Sequence, residues 1–151
     1  MTDTPSDLES HLGYWLRLVS NHVSQSFQRR VEARGVTVAE WVVLRLLLSH
    51  GAQSPSEMAE RLGMTRGAVS KLIERLCQKH LAVRTFSDSD RRRQSIALTP
   101  GGIRLVPKLA RLADDNERAF FGHLPSDRVE RLKRDLQALA ALHGFRNIPL
   151  E

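Results

Sequence analysis

One cysteine, one tyrosine and two tryptophans occur in 151 residues. A single thiol cannot build an intramolecular disulfide framework and suits a reducing compartment. No apolar run approaches the roughly 20 residues needed to span a bilayer. The longest, from Trp41 to Leu48, is broken by Arg45. The opening residues, MTDTPSDLES, carry acids where a secretory signal has a basic and then an apolar region. A cytoplasmic protein with no membrane attachment is expected. No GxSxG elbow, HExxH pair or glycine-rich phosphate loop is found, so neither enzymatic activity nor a cofactor is expected. Six histidines are present, but none pairs with another, or with Cys77, at ligand spacing on one helix face. No metal site is expected.

What is abundant is positive charge in one place. Residues 61–93 hold nine basic side chains against three acids, an excess equal to the whole net charge of +6. A local basic block points toward a polyanion, most often nucleic acid. A solvated basic face gives the same count, so charge alone does not choose.

Apolar periodicity supplies the architecture. Leu8, Leu12, Trp15, Leu16, Val19, Val23, Phe27 and Val31 recur in steps of three and four, predicting one long helix that ends at Arg34-Gly35. Thr37-Val38-Ala39-Glu40 and Ser54-Pro55-Ser56-Glu57 are capping-box patterns, each opening a helix. Gly63 then makes a turn and Thr65 caps a helix burying Val69, Leu72, Ile73 and Leu76. After His80 the period becomes that of strands: Leu81–Phe86 and Gln94–Leu98 flank a loop of serine, aspartate and arginine. Thr99-Pro100 starts another helix, expected to kink at Pro107, and a last helix is expected to be capped near Ser126. The fold class is mainly α with a small β-hairpin. The two end regions carry narrow apolar stripes that a lone chain would struggle to bury, and a homodimer would cover them.

Two short helices joined by a glycine turn form a helix-turn-helix, whose second helix enters the major groove by its N-terminal residues. Those residues are Thr65, Arg66, Gly67, Ser70 and Lys71, with Arg75 a turn further on and Ser54 at the preceding helix start. Arginine can bond guanine in a fork, hydroxyls reach bases or phosphates, and Gly67 permits close approach. An ordinary helical hairpin with a basic face is the competing explanation. Arg91, Arg92 and Arg93 in the hairpin loop weigh against it. Adjacent arginines at a loop tip repel one another, whereas a narrow minor groove attracts them. Helix-turn-helix, strand, basic loop, strand is the order of a winged helix.

The segment from Met58 to Leu76 resembles the DNA-binding helices of the MarR family of transcriptional regulators. Asp90-Arg91-Arg92 is similar to its Asp-x-Arg wing motif, Leu98-Thr99-Pro100-Gly101-Gly102 to its L-T-x-x-G, and Val36–Trp41 to its second-helix entry. The resemblance covers essentially the whole chain. It implies one domain over 1–151: a DNA-binding lobe at about 37–98, and dimerisation helices at about 8–34 and 100–145. It also implies an obligate homodimer on a pseudo-palindromic site in double-stranded DNA. Arg92 matches the arginine that enters the minor groove and Asp90 the aspartate that orients it. Ser87 and Ser89 replace two charged positions of the longer wing motif, so Arg91 or Arg93 can take over their role.

The same resemblance implies a repressor released by a small aromatic acid. His11, Tyr14, Trp15, Arg17 and Trp41 are candidates to line its pocket; their plainer role is core and dimer interface, favoured by Trp15 lying on the apolar stripe. Two other readings stay open. Cys77, near Arg75, Lys79 and His80, is a candidate redox switch, although peroxide-sensing members carry their cysteine in the first helix. The basic face could also dock an acidic protein, making the chain a dimeric interaction module.

Overall fold

The computed structural model describes residues 4–86, 89, 93–146 and 148–150. Six helices and one hairpin follow in order: α1 (Leu12–Glu32), α2 (Val38–His50), α3 (Pro55–Leu62), α4 (Arg66–Gln78), β1 (Ala82–Phe86), β2 (Gln94–Leu98), α5 (Pro100–Phe121) and α6 (Ser126–His143). No helix among the described residues is long and apolar enough to cross a membrane.

The first helix starts later than its periodicity suggests. Leu8–Ser10 form a single 3-10 turn, and His11 is extended at φ −93°, ψ 127°. The Asp7 carbonyl accepts from both the backbone and the hydroxyl of Ser10, which draws the chain out of the α register. At the other end Gly35 takes φ 82°, and the Val36 N–H bonds back to the Val31 carbonyl. That six-residue closure needs a left-handed residue, which glycine adopts without a Cβ penalty.

Local caps set the starts of α2, α3, α4 and α5. Both expected capping boxes form, with Thr37 and Glu40 bonded reciprocally and Ser54 and Glu57 likewise. Thr65 accepts from the Ala68 N–H and Thr99 from the Gly102 N–H. Each such cap contributes about 1 kcal/mol. α6 starts at Ser126, near where it was expected, and its cap residue is Pro125 at φ −56°, ψ 141°, which makes no side-chain bond. Pro107 lies within α5, which continues past it to Phe121.

The core lies where α2, α3, α4 and the hairpin meet α5. Val43, Leu44, Met58, Leu62, Ile73, Leu76, Ile96 and Leu109 are almost wholly buried there. β1 and β2 pair antiparallel from Ala82↔Leu98 to Phe86↔Gln94. Gln53 adds an unexpected isolated bridge to β2: its N–H and C=O exchange bonds of 3.0 and 2.7 Å with Ile96. The hairpin is thereby tied to the start of α3.

A second tie joins the ends of α2 and α4. Glu40 is 1% exposed, and the Lys79 ammonium donates to it at 2.7 Å and to the Gly35 carbonyl at 2.9 Å. Asn116 of α5 donates to the Val23 carbonyl of α1 at 3.1 Å. By contrast α6 buries no residue, and Leu132, Leu136, Leu139 and Leu142 are exposed along it. Leu12, Trp15, Leu16 and Val19 are exposed in the same way on α1.

Candidate nucleic-acid interface

The two faces of α4 divide cleanly. Val69, Leu72, Ile73 and Leu76 are buried, while Arg66, Gly67, Ser70, Lys71 and Arg75 are exposed. Apolar residues in steps of three and four hold one side to the core, so the intervening side chains must face water. Thr65 is exposed, and its hydroxyl oxygen serves as the helix cap. That bond uses the oxygen as acceptor and leaves the hydroxyl proton available to an outside oxygen.

The helix ends have different surroundings. At its N-terminus Arg66 lines an open cleft of about 530 Å³ together with Gln53, Ser54, Ser56, Glu57, Arg93, Gln94 and Ser95. The structure therefore brings Ser54, Arg66 and Arg93 together from α3, α4 and the root of the wing. Neither arginine has a carboxylate partner among the described residues. Asp90, Arg91 and Arg92 lie outside the described residues. Arg75, a turn before the C-terminus of α4, lines a second cleft of about 560 Å³ with Phe27, Glu32 and Trp41. Phe27 and Trp41 meet edge-on there, with centroids 6.4 Å apart.

The remaining effector candidates sit elsewhere. His11, Trp15 and Arg17 are exposed and Tyr14 is half-buried, in the first turns of α1 or just before it. The Trp15 indole N–H donates to the Glu9 carbonyl at 2.8 Å, and Tyr14 packs against the Trp15 ring. Only Trp41 of the five lies on the Phe27–Arg75 cleft. Cys77 is half-buried and packs against the core. Among the described residues, no group of three or more histidine, cysteine and acidic side chains could hold a metal ion.

Gln53 escaped the sequence reading, as did Gln94 and Ser95. Nothing in the local pattern marks them, because they reach the cleft through the pairing of residue 53 with Ile96. At Gly67 a Cβ built on the backbone meets nothing within 4 Å. Gly67→Ala is therefore expected to stabilise the free protein by about 0.5–1 kcal/mol. If α4 lies against a duplex at this point, the same change weakens DNA binding. Melting curves paired with duplex titrations test this, and unchanged affinity would remove Gly67 from the contact surface.

Comparison with known proteins agrees with this geometry. Residues 34–93 match the family model described as MarR family. The HTH-type transcriptional repressor MdtR of Bacillus subtilis is 35% identical over 95 residues, which is 63% of this chain and 61% of MdtR. The chain thus spans less than two thirds of that relative. The structure of Bordetella bronchiseptica BpsR, whose DNA binding is regulated by 6-hydroxynicotinic acid, superposes with a TM-score of 0.76 at 26% identity. That match covers 91% of this chain and 98% of BpsR. S. aureus MepR, solved as a DNA complex, gives 0.75 at 27% identity, covering 87% and 97%. With the helix order, the capped α4, the hairpin that follows it and these matches in agreement, residues 34–93 match the MarR family and the chain as a whole is similar in fold to these regulators.

Proposed function

We propose that the protein is a homodimeric, cytoplasmic, sequence-specific DNA-binding transcriptional regulator: a repressor released by a small aromatic acid. The observation that carries this reading is the bare polar face at the start of α4, where Arg66, Gly67, Ser70 and Lys71 stand free of the core beside Ser54 and Arg93. A helix so placed can lie in a major groove with its N-terminal side chains on base edges, while the wing follows the adjoining minor groove. The exposed apolar stripes of α1 and α6 supply the surface for a second copy, whose two-fold axis would match a pseudo-palindromic operator. For the effector, the cleft of Phe27 and Trp41 offers aromatic walls, and Arg75 at its edge offers a cation for a carboxylate. That cleft also touches α4, so an occupant there would bear on the DNA-reading helix directly.

Fluorescence anisotropy on a duplex from upstream of the protein's own gene, across a salt series and against unrelated competitor DNA, tests the reading. Saturation at two chains per duplex is expected. Arg92→Ala and Arg66→Ala should each weaken binding strongly, and each lost phosphate contact reduces the salt slope by about one unit. A basic face that docks an acidic protein would instead leave duplex binding weak and abolished by competitor.

A further inference from the structure

Both polar atoms of the Gln53 carboxamide are buried without a hydrogen-bond partner among the described residues, and the residue is only 5% exposed. A buried amide left unpaired is costly, and native structures keep few of them. The backbone of Gln53 makes the bridge to Ile96, a task that any non-proline residue could perform. An apolar side chain of similar size would serve the fold better. Where a chain keeps such a liability, the compensating gain is sought in what the site binds.

The surroundings say what kind of group that is. Gln53 lines the cleft at the start of α3, facing a helix N-terminus. Within that first turn the Ser54, Glu57 and Met58 N–H groups are bonded, and Pro55 has none. The Ser56 N–H is thus left for an outside acceptor. Arg66 and Arg93 add two cations, and Glu57, the one carboxylate among the described lining residues, is engaged by the Ser54 N–H. A helix N-terminus, two guanidinium groups and an amide donor together match a tetrahedral oxyanion.

We infer that this cleft is a seat for a phosphate group, held by Arg66, Arg93, the Ser56 N–H and the Gln53 carboxamide, which turns its N–H toward the oxyanion on binding. The group can be a backbone phosphate of the operator, in which case the inference rests on the DNA-binding reading above, or a free phosphate, in which case it does not. In either case Gln53 is a ligand-contacting residue whose cost falls on the free protein.

The test uses the full chain, with Gln53→Leu and, as a second packing variant, Gln53→Met. In phosphate-free buffer both should melt above the wild type by about 3 °C, since an orphaned amide has been removed. Inorganic phosphate is then titrated against each, with chloride at matched ionic strength as control, followed by melting temperature. In parallel, each is titrated against the duplex bound by the wild type. Stabilisation of the wild type by phosphate but not by chloride, lost in both variants, supports a free-ion seat, even if no duplex binds. No response to inorganic phosphate, with duplex affinity about tenfold weaker in both variants and the salt slope unchanged, supports an operator phosphate held by a neutral donor. Wild-type duplex binding that both folded variants reproduce, without any phosphate response, overturns the inference while leaving the DNA-binding reading intact.

Discussion

Gly102→Ala is expected to destabilise the protein by about 3 kcal/mol, whereas Gly101→Ala is expected to be tolerated. A Cβ placed on Gly102 would lie 2.2 Å from the Leu81 carbonyl oxygen, a backbone atom that cannot swing aside. At Gly101 the nearest atoms are at 3.6 Å, an ordinary contact. The crowding has a cause in the local bonding. Thr99 donates its backbone N–H to the Leu81 carbonyl and its hydroxyl to the His80 carbonyl, pressing the start of α5 onto the segment that links α4 to β1. Its hydroxyl oxygen accepts from the Gly102 N–H in turn. The glycine of the L-T-x-x-G pattern is thus demanded by packing between α5 and the base of the wing, and needs no DNA to account for it. For a chain of this size the loss corresponds to a fall in Tm of about 6–12 °C. Both variants should be melted at matched protein concentration, because association with a second copy also raises Tm. Equal melting temperatures for the two alanines would contradict the contact.

Replacing Leu136 and Leu139 together by glutamate should leave the protein monomeric and weaken operator binding by about a hundredfold or more. Neither side chain belongs to the core of its own chain: each is 43% exposed, and α6 as a whole buries nothing. With Leu132 and Leu142 they form a stripe along one side of a helix, too apolar to be left in water. Two carboxylates in the centre of such a stripe would have to be buried without partners, a cost few interfaces withstand. Two half-sites held by one rigid dimer bind far more tightly than either alone, so losing the dimer removes most of the affinity. Sedimentation should give twice 17.1 kDa for the wild type and 17.1 kDa for the variant, with helical circular dichroism retained. A wild type that sediments as a monomer at micromolar concentration would defeat the dimeric reading.

How much of this was legible in the sequence depended on the reach of each interaction. The caps at Thr37, Ser54, Thr65 and Thr99 act within three residues, and all were readable. So was the buried face of α4, because helical spacing alone assigns it. His11 shows the limit at a helix end, where the bonds of Ser10 to the Asp7 carbonyl shift the start. What stayed hidden joins distant residues. Glu40 reads as half of a capping box, and nothing nearby reveals that it is buried and paired with Lys79, 39 positions away. Lys79 counted among the basic residues of a DNA-facing segment, yet its ammonium is engaged by Glu40 and the Gly35 carbonyl of its own chain. Gln53 looks like a polar residue before a cap and instead bridges to Ile96 of β2. Of the wing arginines expected from charge repulsion, Arg91 and Arg92 lie outside the described residues.

The Glu40–Lys79 pair also sets a mechanical scale. It pins the C-terminal end of α4 to the corner between α1 and α2, which leaves the base-reading end as the far tip of an arm. The 13 residues of α4 make that arm about 20 Å long at 1.5 Å per residue. Tilting it by about 10° about the pinned end carries the tip roughly 3.4 Å, the rise of one base pair along a strand. An angular change small enough to spare the packing at the pivot would therefore put the N-terminal end of α4 out of step with the bases by a full position.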